Sequence, residues 1–192
     1  MERFIRRYSF SPSDCDALVA WFEDNPDFHT TAVISNNSGS NIVDYRVKDA
    51  TCINLNLEDA YGINTNFSSF LDFLWESVNS YVAEFIELSY MNFSMLEAFQ
   101  ISRYTPPDGG FRADHCERND TESAPRLLVW MLYLTDNGLE GGTNFKYLEH
   151  SETAEKGKLL IWPPDFTHTH NGIVDTEKYK YIITGWYNLA SF

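Results

Sequence analysis

Apolar residues recur at helical spacing in the first half of the chain and alternate with polar ones in the second. Ser11-Pro12-Ser13-Asp14 precedes Ala17, Leu18, Trp21 and Phe22, an i, i+1, i+4, i+5 stripe behind a hydroxyl suited to capping. The spacing predicts a first helix ending near Pro26. Between Asn66 and Phe85, the residues Phe70, Phe73, Leu74, Ser77, Val78, Tyr81, Val82 and Phe85 return every three or four positions, which predicts a long helix with one face on a sheet. Residues 35–41, Ser-Asn-Asn-Ser-Gly-Ser-Asn, contain nothing that packs and read as a mobile loop, either a lid or a linker.

Past residue 95 the period shortens to two. Strands are predicted at Ala98–Tyr104, Phe111–Glu117, Arg126–Leu134, Lys158–Trp162 and Lys180–Tyr187, with turns at Thr105–Gly110 and Asp136–Gly142. Helices first and strands after predict an α+β fold, with helices backing a sheet that folds on itself. No repeat or boundary interrupts the pattern. A single domain over 1–192 is expected, in which 1–95 supply helical support and 96–192 the strand-rich core.

Composition narrows the function. The chain has 192 residues, 43% hydrophobic and 16% aromatic, which fits one packed domain with an aromatic core. Against 28 Asp+Glu stand 14 Lys+Arg, a net charge of −14. That excludes a nucleic-acid binder, which needs basic residues against phosphate, and suits a basic peptide or protein partner. Cys15, Cys52 and Cys116 form no CxxC pair and fit a reducing compartment. The start Met1-Glu2-Arg3-Phe4-Ile5-Arg6-Arg7 lacks the apolar segment of a secretory signal, and no run approaches the ~18 apolar residues of a membrane span. A soluble, cytoplasmic protein is expected.

Candidate chemistry gathers in the strand-rich part. In an extended segment His115 and Glu117 project from one face, and an imidazole and a carboxylate aimed together at an apolar wall call for a cation, unless the strand is an edge and that face is wet. The segment Pro163-Pro164-Asp165-Phe166-Thr167-His168-Thr169-His170-Asn171-Gly172 offers a second histidine, either His168 or His170. Two histidines and a carboxylate form the facial triad that holds Fe(II) with positions left open, although zinc fits the same donors. Alternation puts Lys180 on one face with Ile182, Thr184 and Trp186, where an ammonium needs an anion, either a bound carboxylate or a fixed Asp or Glu. Tyr133 shares its face with Leu127, Val129 and Met131, a polar tip in an apolar layer.

The order of these features resembles the iron(II)- and 2-oxoglutarate-dependent dioxygenases, specifically the prolyl 4-hydroxylase-like branch. Tyr104 and a Gly-rich turn precede His115 and Glu117. An Arg-led strand ending in Tyr133-Leu134 follows, then the Gly141-Gly142-Thr143-Asn144-Phe145 turn and the Lys156–Trp162 strand. A His-x-Gly segment, Lys180 and Trp186 close the series. The resemblance implies a double-stranded β-helix, or jelly roll, with N-terminal supporting helices. It selects His170 over His168, and so implies His115, Glu117 and His170 as iron ligands. It further implies that Lys180 and Tyr133 hold the distal carboxylate of 2-oxoglutarate, with Tyr104 and Trp186 in the same cosubstrate pocket. Glu117 departs from the branch, which usually has Asp there. The implied cofactors are Fe(II), 2-oxoglutarate and O2, with ascorbate as a supporting reductant. The implied reaction hydroxylates a substrate, foremost a prolyl residue of a peptide or protein, and converts 2-oxoglutarate to succinate and CO2. Two other readings of the same residues are a non-catalytic metal-binding jelly roll and a zinc hydrolase.

Overall fold

Ser11 begins the first helix as its hydroxyl predicts, accepting from the Asp14 amide at 3.4 Å, and α1 runs Pro12–Asp24 before Pro26 starts a separate turn. The computed structural model describes residues 4–35, 41–63 and 65–191. Two further helices follow, α2 (Leu57–Ile63) and α3 (Thr65–Glu84), the latter on the predicted stretch. Among the described residues the two larger sheets are built mainly from β1 (Arg6–Ser9), β2 (Thr30–Thr31), β3 (Thr51–Leu55), β4 (Phe99–Tyr104), β5 (Arg126–Tyr133), β6 (Gly138–Phe145), β7 (His150–Ala154), β8 (Lys158–Trp162), β9 (His170–Gly172) and β10 (Lys180–Leu189).

All pairings are antiparallel. The large sheet has the order β1-β8-β5-β10-β4-β3-β2, with Phe93–Ser94 added to the end of β10, and the small sheet has the order β7-β6-β9. The architecture is a double-stranded β-helix with helices on the outer face of its large sheet. Alternation divides the core into two layers. Trp130, Leu132 and Ile183 face Leu18, Phe22, Phe70 and Leu74 of α1 and α3. Val129, Met131, Tyr133 and Ile182 point the other way, toward Phe145, Leu160 and Trp162. Each of these large side chains contributes about 1.5–3 kcal/mol by leaving water.

Four expectations need correction. The stretch Phe111–Glu117 is not a strand: pairing covers Gly110–Phe111 and returns as a single bridge at His115. Asp136–Gly142 is not one turn, because β6 begins at Gly138 and carries the Gly141–Phe145 segment between β7 and β9. Glycines read as a turn because they lack β propensity, yet Gly142 is needed here: a Cβ would meet the Glu152 carbonyl at 2.0 Å. The loop expected at 35–41 is bounded more narrowly, since Ile34–Ser35 pairs with Asn41–Ile42, and 36–40 lie outside the described residues. Finally, Leu127 leaves the face of Val129 and packs with the helix-side core, because the register of β5 on β10 shifts between Arg126 and Leu128.

Candidate active site

The two histidines selected above stand directly opposite each other. His115 and His170 exchange backbone hydrogen bonds at 2.9 and 2.8 Å, and the Glu117 amide is tied to the Pro164 carbonyl at 3.1 Å. Each imidazole is oriented from behind. His115 Nδ1 lies 2.9 Å from the Ala113 carbonyl and His170 Nδ1 lies 2.9 Å from that of His168. A carbonyl can only accept, so each Nδ1 carries the hydrogen and each Nε2 turns its lone pair inward. Glu117 Oε1 lies 3.3 Å from His115 Nε2 and 3.5 Å from His170 Nε2. Metal bonds of about 2.0–2.2 Å place neighbouring ligand atoms about 3 Å apart, so the three donors fit one divalent cation. The Phe111 ring stacks on His115 at 3.7 Å, and Trp162 meets His170 edge-on at 5.3 Å. Burial raises the Glu117 carboxyl, but the two imidazoles beside it pull it well below the ordinary range. Burial and the neighbouring His115 lower His170, which favours the neutral, ligating imidazole.

The second oxygen of Glu117 is also held. Trp186 Nε1 donates to Oε2 at 3.1 Å, and an Arg126 guanidinium nitrogen stands 3.6 Å from it while donating to the Glu117 carbonyl at 2.8 Å. The guanidinium lies 3.6 Å over the Trp186 ring and is fixed in turn by Glu97, whose carboxylate also accepts from Asn188. Trp186 was expected beside the cosubstrate. It lines the cavity, but its polar atom donates to Glu117. Arg126 escaped sequence reasoning, since alternation assigns it to the helix side and the β5 bulge turns it toward the site.

At the other end of the cavity, Lys180 is 6% exposed. Its Nζ donates to the Gly142 carbonyl at 3.3 Å, and among the described residues it meets no carboxylate within salt-bridge distance. Burial lowers it to about 7, with Asp175 acting weakly in the opposite sense. Tyr104 and Tyr133 place their rings 5.6 Å from this nitrogen. The Tyr133 hydroxyl bonds Thr143 Oγ1 at 2.6 Å, and it is Thr143 that lines the cavity, with Tyr133 behind it. The cavity holds about 180 Å³ and connects Lys180, Thr143 and Tyr104 to the His115, Glu117 and His170 donors. A desolvated ammonium without a counter-ion, one cavity away from a cation site, suits a ligand with a carboxylate at the far end and metal-binding oxygens at the near end. His168 is buried, and its carbonyl rather than its ring serves the site.

Residues 99–188 match the profile of the 2OG-Fe(II) oxygenase superfamily. No curated protein matches the chain in sequence. Among solved structures, a viral collagen prolyl hydroxylase from Paramecium Bursaria Chlorella virus-1, in complex with 2OG, superposes with a TM-score of 0.67 at 15% identity, covering 99% of this chain and 98% of that one. A Pseudomonas putida prolyl-4-hydroxylase gives 0.71 at 12% identity over 99% and 95%. A Trichoplax adhaerens prolyl hydroxylase, in complex with a hypoxia inducible factor oxygen degradation domain peptide fragment, gives 0.72 at 13% identity over 97% and 84%. At such identities these likenesses show a shared fold. The profile match spans the donors, the buried lysine and the strands that bring them together, so residues 99–188 form a 2OG-Fe(II) oxygenase domain.

Proposed function

We propose that this dioxygenase hydroxylates a prolyl residue of a peptide or protein, with His115, Glu117 and His170 holding Fe(II) and Lys180 holding the distal carboxylate of 2-oxoglutarate. The observation that carries the cosubstrate assignment is the buried, carboxylate-free Lys180 facing the same cavity as the three donors. When bound, iron with O2 and 2-oxoglutarate supplies the oxidant for an unactivated C–H bond, while 2-oxoglutarate leaves as succinate and CO2. The chain's own residues position and shield. Trp186 and Arg126 fix one carboxylate oxygen of Glu117 so that the other faces the cation. The backbone carbonyls of Ala113 and His168 keep both imidazoles in the ligating tautomer. Met131, Trp162 and Ile182 wall the cavity with apolar surface, which limits water beside a reactive centre.

The prolyl substrate draws support from the three prolyl hydroxylases of like fold, one of them in complex with a peptide. A zinc hydrolase would leave Lys180 without a task, and a non-catalytic module would keep the pocket but never consume 2-oxoglutarate. The free thiols Cys15, Cys52 and Cys116 accord with a cytoplasmic setting, and among the described residues no helix is long and apolar enough to cross a membrane. The test is mass spectrometry of proline-containing peptides after incubation with Fe(II), 2-oxoglutarate and ascorbate in air. Gain of one oxygen on proline, matched by succinate, is the expected result. Oxygen on another residue type would refute the prolyl assignment.

A further inference from the structure

The cavity lining also includes Lys48, Gln100 and Asn54, which form a chain: Lys48 Nζ donates to Gln100 Oε1 at 2.7 Å and Gln100 Nε2 to Asn54 Oδ1 at 2.9 Å. Asn54 lies on β3, and it also lines a separate groove of about 510 Å³ beyond the sheet edge. That groove is lined by the apolar Trp21, Phe28, Ile53 and Leu55 and by the acidic Glu58 and Asp59, with no basic residue in its lining. Phe28 is 61% exposed.

β3, which contributes Asn54 to both linings, has a free edge. On its inner side β3 pairs with β4 along its whole length, but on its outer side β2 covers Thr51 and Cys52 alone. Ala32 N donates to the Ala50 carbonyl at 3.0 Å and Thr30 Oγ1 to the Cys52 carbonyl at 3.1 Å, so the backbone groups of residues 50 and 52 point outward. Antiparallel alternation then turns the N–H and C=O of Asn54 to the same side, where no described strand meets them. An unpaired donor and acceptor on a strand edge form a template for an extended chain.

We propose that the substrate is an extended peptide segment that adds to the outer edge of β3 at Asn54, with a Lys or Arg beside Glu58 and Asp59 and an apolar side chain on Phe28. The inference rests on the dioxygenase reading and specifies its substrate. Main-chain bonding to Asn54 places the peptide beside the cavity, where Asn54, Gln100 and Lys48 meet the residue that enters. The acidic pair then selects basic neighbours over acidic ones, and the apolar lining accounts for an exposed Phe28 beside a charged helix.

The probes are two short unstructured peptides with one central proline, flanked by lysines in one and by glutamates in the other. Both are added to the iron-loaded, 2-oxoglutarate-bound protein without oxygen. The lysine peptide should bind about tenfold more tightly at low salt. It should slow hydrogen exchange at the Asn54 amide, and the preference should vanish in the Glu58→Lys/Asp59→Lys variant, whose 2-oxoglutarate affinity measured without peptide stays at the wild-type value. An N-methyl group on the peptide amide facing Asn54, found by scanning, should abolish the protection. Equal binding of the two peptides, no binding of either, or binding without protection of Asn54 would overturn the proposal. Binding with protection but no oxygenated proline after admitting air would sustain the docking edge and refute the prolyl substrate.

Discussion

Glu117 is one methylene longer than the aspartate usual in the branch it resembles, and its surroundings are built to hold the extra length. Trp186 Nε1 and Arg126 grip Oε2 while Oε1 faces the imidazoles. Trp186→Phe keeps the ring under the guanidinium but deletes the hydrogen bond, so Fe(II) affinity should fall roughly 10- to 100-fold in an anaerobic titration. Unchanged affinity would leave Arg126 as the sole orienting group. His168→Ala should bind iron as wild type does, because His170 Nδ1 uses the His168 backbone carbonyl. Lys180 gives a pH signature. Free, it titrates at about 7, depressed by burial. A bound carboxylate raises its pKa, so binding above pH 7 takes up a proton. Affinity for 2-oxoglutarate should therefore be level below pH 7 and fall about tenfold per unit above it. Lys180→Arg, charged throughout, should bind less well but flatten that slope. A slope retained in the arginine variant would assign the titration to another group.

At the level of elements, the site depends on how closely β5, β10 and β4 approach. A Cβ on Gly185 of β10 would meet Trp130 Cζ2 at 2.4 Å and Phe99 Cβ at 2.8 Å. Gly185→Ala should cost about 1–3 kcal/mol in denaturant unfolding while leaving the donors in place, so iron still binds. The strands with a clear apolar alternation, β5, β8 and β10, are legible in the sequence, as are α1 from its cap and α3 from its period. β3 and β6 were not. The former is short and lies among loops, and the latter is rich in glycine, which signals a turn until Gly142 is seen pressed against β7. The same contrast holds in the site. His115, Glu117 and Lys180 stand out by residue type, because charged groups and imidazoles are rare on apolar faces, whereas the choice of His170 over His168 rests on the resemblance. Arg126 and Thr143 depend on a bulge and on a cross-strand hydroxyl pair, neither of which leaves a local pattern.

On the scale of the whole molecule, we propose that residues 1–192 fold as one cooperative unit. β1 pairs with β8 and β3 with β4, so the N-terminal part contributes strands to the large sheet as well as helices over it. Far-UV dichroism and tryptophan fluorescence should report one coincident unfolding transition. Two separated transitions would divide the chain. The central claim is that a cation site and a carboxylate anchor share one cavity, with the cation held by His115, Glu117 and His170 and the carboxylate by Lys180. It is tested most directly by titrating the iron-loaded protein with 2-oxoglutarate in the absence of oxygen, by calorimetry, in wild type and Lys180→Ala. One 2-oxoglutarate should bind per chain, and the variant should retain its iron while losing about 2–5 kcal/mol of cosubstrate binding. Equal affinity in the two proteins would contradict the account.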